Sequence, residues 1–110
     1  LALFGTCPYE HELAHKTFKL TEDVFYKAIE VRRGGSAALD ICYIAAGKAD
    51  IYYELILRPW DWAGATLILH EAGGICTQVN GDELSLNKIT SYVCGNEKNL
   101  KEFYEIYNAQ

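Results

Sequence analysis

Methionine is absent from all 110 residues. The chain opens on Leu1, a residue bulky enough that an initiator methionine would ordinarily stay in place, so it is expected to be a fragment of a longer protein. Long apolar runs are missing as well. No stretch approaches the roughly 20 residues a membrane-spanning helix requires, and no basic leader followed by an apolar segment marks export. Positive charge is also scarce: 10 Lys and Arg stand against 15 Asp and Glu, a net charge of -5 with a pI near 5.1. Such a chain has no basic field with which to hold nucleic acid. Finally, there is no Cys-x-x-Cys pair. Cys7, Cys42, Cys76 and Cys94 are widely spaced, and the apolar neighbours of three of them predict buried thiols rather than bridges or zinc ligands. Together these absences predict a soluble, cytoplasmic chain with neither membrane nor nucleic acid as a direct partner.

What is present is the composition of a globular domain: half the residues are apolar or aromatic and 23% are charged. The length fits one domain that buries about two thirds of the surface its unfolded form exposes. Leu1 to Phe4 reads as a strand broken at Gly5-Thr6-Cys7-Pro8. A helix then reaches about Ala28, with Val24, Phe25, Ala28 and Ile29 at helical spacing. Residues 29 to 33 look extended and stop at Gly34-Gly35, after which Ser36 caps a small-residue helix ending at Gly47. Ala49 to Leu57 is β-branched and aromatic, a strand. A helix follows to about Gly73-Gly74, then strands over Ile75 to Val79, closed by Asn80-Gly81, and Thr90 to Cys94. Asn96 caps a last helix whose apolar stripe is Leu100, Phe103, Tyr104 and Tyr107. This alternation predicts an α/β fold, a layered α/β/α domain with a mixed sheet, over residues 1–110.

The chemistry concentrates at Arg58-Pro59-Trp60-Asp61-Trp62. Asp61 precedes a run of good helix formers and is predicted to be the N-cap of its helix. Glu54 lies seven positions upstream near the end of a strand, so both carboxylates can face one cleft at a strand-to-helix junction. A cleft of that kind suits a hard cation and a phosphate.

A second motif competes for attention. His11-Glu12-Leu13-Ala14-His15 matches the zinc peptidase pattern, in which two imidazoles share a helix face with a glutamate as general base. Its neighbours are polar, it follows Pro8 closely, and no third ligand stands out, so a polar surface turn or solvated helix start is the expected reading. His70, between Leu69 and Glu71, reads as a helix-surface or half-buried histidine.

The segments Arg32-Arg33-Gly34-Gly35-Ser36-Ala37-Ala38-Leu39-Asp40, Ala45-Ala46-Gly47-Lys48-Ala49-Asp50-Ile51-Tyr52-Tyr53-Glu54, Trp60-Asp61-Trp62-Ala63-Gly64 and Glu71-Ala72-Gly73-Gly74 closely resemble the inositol monophosphatase family. The match is strongest over roughly residues 30 to 80. The resemblance implies that Asp61 is a magnesium ligand, that Glu54 binds hydroxyls of a polyol ring, and that Gly35, Ser36 and Ala37 line the same substrate pocket. It also implies hydrolysis of a small-molecule phosphate ester by metal-activated water.

The family's Asp-Pro-x-Asp-Gly-Thr and Gly-Glu-Glu segments, which supply the other metal carboxylates, occur nowhere in the chain. The expectation is therefore a C-terminal α/β domain whose partner is a missing N-terminal half, inactive in isolation. Its uncovered apolar face would favour a homo-oligomer. A non-catalytic binding domain of the same fold remains the alternative, with a zinc peptidase on His11 and His15 behind it.

Overall fold

The computed structural model describes residues 1–110, with elements in the order β1 (Ala2–Gly5), α1 (His11–Lys27), β2 (Val31–Arg33), α2 (Ala37–Ala45), β3 (Ile51–Leu57), α3 (Pro59–Glu71), β4 (Ile75–Thr77), β5 (Thr90–Gly95) and α4 (Glu97–Asn108). The five strands form one sheet in the order β2-β1-β3-β5-β4. Strand β1 is parallel to β2 and β3, because helices α1 and α2 carry the chain back between successive strands. Strand β5 is antiparallel to both β3 and β4.

Side chains alternate across the sheet and so build two cores. On one face Tyr52 packs with Leu3, Ile41, Trp62, Leu69 and Tyr92 beneath α2 and α3. On the other, Ile51 and Tyr53 pack with Phe4, Leu20, Val24, Leu100 and Phe103 beneath α1 and α4. The result is the α/β/α sandwich with a mixed sheet that the alternation of elements predicted. Two buried phenols find polar partners inside: Thr21 and Tyr53 share a 2.7 Å hydrogen bond, and Thr66 and Tyr92 another.

Several local expectations need correction. Of the apolar set at the end of α1 only Val24 is buried; Phe25 is exposed, and Ile29 lies beyond the helix with 97% of its surface open. The strand expected over residues 75 to 79 stops at Thr77, because a turn at Gln78–Asp82 takes up the backbone groups and the Val79 N–H donates to Ser91 Oγ. Of the four cysteines, all unbridged, only Cys94 is fully buried, and the other three are half-buried. The final helix keeps its stripe, with Leu100 and Phe103 in the core and Tyr104 and Tyr107 packed against it.

Strand β3 contains an irregularity invisible to periodicity. Glu54 pairs with Tyr92 and Leu57 with Thr90, so three steps along β3 match two along β5. The extra residue is a bulge, a device that bends a strand and re-aims the residues beyond it.

Candidate functional site

Strands β1, β2 and β3 run parallel, so their carboxyl ends, and the helix starts that follow β2 and β3, come together at one edge of the sheet. Open crevices at that edge are the general location of ligand sites in such folds. Here the crevice has a volume of about 410 Å³, and its lining includes Gly5, Thr6, Arg33, Gly35, Ser36, Ala37, Asp40, Glu54 and Asp61. Glu54, Asp61, Gly35, Ser36 and Ala37 all line this one cleft, whereas His11, Glu12 and His15 do not.

Helix α2 supplies one wall. Gly35 sits at φ +88°, a conformation that lets the chain turn sharply into the helix. Ser36 then caps it, its Oγ accepting from the Leu39 N–H at 3.4 Å. Ala37 is the first helical residue. The first-turn N–H groups of a helix have no intrahelical partners, which makes this wall suitable for an electronegative ligand atom.

Strand β3 supplies Glu54. The Tyr52 hydroxyl donates to Glu54 Oε1 at 2.7 Å, from the same side of the strand two residues earlier. Gly5 pairs with Glu54 in the neighbouring strand. A β-carbon at Gly5 would overlap the Glu54 carboxylate, so only glycine leaves that group its place. Burial raises the Glu54 pKa above the ordinary carboxylate value; the Tyr52 hydrogen bond and the nearby Arg33 charge act in the opposite direction, while Asp61 and Asp40 add to the rise.

Asp61 faces the cleft from α3, but it is not the N-cap. Pro59 occupies the first helical position, where its fixed φ and missing N–H cost nothing, so the cap falls on Arg58 and Asp61 becomes the third helical residue. From there its Oδ2 reaches back to accept the Arg58 N–H at 3.3 Å, half of a capping box. The other carboxylate oxygen makes no hydrogen bond within the protein, which suits an aspartate that both caps and binds.

Two lining residues carried no assigned role from sequence. The Arg33 guanidinium donates to the Thr6 carbonyl oxygen at 3.1 Å, bracing the loop after β1 across the cleft. Asp40 is 2% exposed, and burial pushes its carboxyl up to about 6. The sequence did contain a signal for it: it is the one acidic residue in α2, set between Leu39 and Ile41 among small apolar neighbours.

The His11-Glu12-x-x-His15 pattern lies in the first turns of α1, and its two histidines and its glutamate are exposed. No three His, Cys, Asp or Glu side chains anywhere in the chain approach closely enough to hold an ion. The segment is a solvated helix start. His70 is exposed, with Nε2 3.6 Å from Cys76 Sγ.

The inositol monophosphatase family model matches residues 2–109, and the chain belongs to that family. Among curated relatives, Nus factor SuhB of Xylella fastidiosa is 40% identical over 77 residues, covering 70% of this chain and 28% of its own length. Nus factor SuhB of Vibrio cholerae is 44% identical over 75 residues, 67% of this chain and again 28% of the relative. Among solved structures, an inositol monophosphatase from Anabaena superposes with a TM-score of 0.88 at 25% identity, covering 98% of this chain and 42% of that one. The extragenic suppressor protein suhB of Bartonella henselae gives 0.83 at 31% identity, over 96% and 40%. The chain thus spans less than half the length of each of these relatives. No helix is long and apolar enough to cross a membrane.

Proposed function

We propose that this chain is the C-terminal α/β domain of a larger magnesium-dependent phosphomonoesterase that hydrolyses inositol monophosphate or a similar polyol phosphate. The observation that carries this reading is the convergence of Glu54, Asp61 and the start of α2 on one cleft at the carboxyl ends of parallel strands.

In this reading Asp61 gives one carboxylate oxygen to the ion while the other keeps its hold on the Arg58 N–H. Magnesium prefers six oxygens and retains several waters, so one protein carboxylate is a corner of such a site and not the whole of it. An N-terminal half outside this chain supplies the remaining carboxylates. When bound, the metal activates water and neutralises the phosphoryl oxygens. The protein's own part is recognition. Glu54, held by Tyr52, accepts hydrogen bonds from ring hydroxyls, and backbone groups of Gly35, Ser36 and Ala37 shape the same pocket. The isolated chain is expected to be inactive.

The test is phosphate release from inositol monophosphate by the full-length protein with magnesium. Asp61→Asn should reduce turnover by roughly 100-fold or more with the fold intact, because a neutral amide cannot replace a carboxylate on the ion. Near-normal hydrolysis by that variant would refute the assignment. A second reading comes from relatives named Nus factor SuhB: the parent protein acts as a Nus factor, through surfaces that do not need the cleft. Asp61→Asn separates the two, since it removes hydrolysis and leaves a Nus-factor role untouched.

A further inference from the structure

Asp40 lines the cleft with a carboxylate that receives no hydrogen bond from the protein. Its side chain is 2% exposed, yet neither carboxylate oxygen has a hydrogen-bond partner within the protein, and what remains open of it faces the cleft it helps to line. Trp62 Nε1 is the one fully enclosed polar side-chain atom without a partner, so the Asp40 oxygens remain reachable from the cleft.

The candidate donors around it are already engaged or too distant. Tyr52 has a single hydroxyl proton, which goes to Glu54 Oε1. The Arg33 guanidinium hydrogen-bonds the Thr6 carbonyl and makes no ion pair with Asp40. Ser36 Oγ accepts from Leu39. Asp40, Glu54 and Asp61 do not converge closely enough to share a cation. The carboxylate lies against Gly34, where a β-carbon would overlap Oδ1. Its donor, water or a ligand hydroxyl, therefore comes from the cleft. A phosphate cannot provide it, and three carboxylates lining the cleft repel anionic groups from this end.

We propose that Asp40 is a second substrate-binding carboxylate, which accepts a hydrogen bond from one hydroxyl of the polyol while Glu54 accepts from a neighbouring hydroxyl. The inference rests on the phosphatase reading above and deepens it. The two acceptors lie on different elements, Asp40 on α2 and Glu54 on β3, so they address different positions of one ring. The site thereby selects polyol phosphates with adjacent free hydroxyls over phosphates of simple alcohols. Gly34 is a positioning residue, since its missing side chain is what leaves room for the Asp40 carboxyl.

The test uses the full-length protein with magnesium and a series of inositol monophosphates, each lacking one hydroxyl. In the unaltered protein, removing the hydroxyl that Asp40 receives should lower kcat/KM about tenfold or more, as expected for a hydrogen bond to a charged group. In Asp40→Leu that same deoxy compound should cost nothing further, while the penalty at the Glu54 position persists. Gly34→Ala, at an exposed backbone position, should erase the same single penalty and serves if Asp40→Leu fails to fold. Equal penalties at every ring position in the variants and the unaltered protein would mean that Asp40 holds only water, which overturns the proposal. If the unaltered full-length protein releases phosphate from none of the compounds, the phosphatase reading falls and takes this inference with it.

Discussion

The Tyr52 hydroxyl lies 2.7 Å from Glu54 Oε1 and donates its proton there, joining a fully buried phenol to a carboxylate at the edge of a cleft. The two residues occupy the same side of β3, so the strand's own two-residue period aims one at the other. The bond does two things. It fixes the direction of the Glu54 lone pairs, and it favours the ionised form of a carboxyl that burial would otherwise neutralise.

Removing the bond has a defined consequence. Tyr52→Phe should move the Glu54 pKa further up, because the hydrogen bond is the largest influence opposing the rise. Carbon-detected NMR titration of the Glu54 carboxyl reads this directly; an unchanged or lowered value would count against the role given to Tyr52. In the full-length protein the same variant should raise KM for inositol monophosphate more than it lowers kcat.

Asp40 sets a pH dependence of stability. Its carboxyl stands at about 6 in the folded chain against an ordinary 3.8. Between those two values the folded state keeps a proton that the unfolded chain has released, so stability falls as pH rises through the window, and Glu54 adds in the same direction. Asp40→Asn removes the cost of ionising this group. The variant should be more stable than the parent at pH 7 by about 1 to 3 kcal/mol, water in the cleft screening part of the full effect. Urea denaturation at pH 4 and pH 7 checks it, and a variant destabilised equally at both would be evidence against a strained carboxylate.

Asp61 combines two jobs that substitution can separate. Asparagine still accepts the Arg58 N–H, so Asp61→Asn should cost little stability, whereas Asp61→Ala should cost about 1 kcal/mol through the lost hydrogen bond to that N–H. Thermal unfolding orders the two variants, while the proposed function expects both to lose hydrolysis in the full-length protein.

Trp62 stacks on Tyr92 with ring centroids 5.7 Å apart, but its buried Nε1–H meets no acceptor. Trp62→Phe keeps an aromatic ring and deletes the unpaired donor. The loss should stay within about 1 kcal/mol, well below the roughly 3 to 5 kcal/mol of a large aromatic truncated to alanine. Chemical denaturation of both variants tests this ordering.

Much of this architecture could be read from the residues alone, for physical reasons that also explain what could not. The β-branched run before Leu57, the Ser36 and Asn96 caps and the stripe of the last helix are local signals, and the structure reproduces them. The start of α3 falls three residues earlier than the sequence suggests, because aspartate serves at both the cap and the third helical position, and here Pro59 decides between them. Tyr52 reads as another core aromatic, since nothing in a sequence tells which way a hydroxyl points. The bulge between Glu54 and Leu57 depends on pairing with β5, nearly 40 positions further along the chain. Asp40 is visible as an isolated acid among apolar residues, but its lack of a partner is a property of the assembled cleft.

The bulge in β3 also acts as a spacer. It falls between Glu54 and the Arg58-Pro59 start of α3, so one supernumerary residue sets how far, and with what rotation, Asp61 stands from Glu54. Deleting Leu55 or Ile56 would leave Glu54 opposite Tyr92 and Leu57 opposite Thr90 in regular pairing, and would remove the bend that the extra residue puts into β3 just before α3. Two carboxylates that now open onto common ground would be parted, although no side chain in contact with a ligand had been altered.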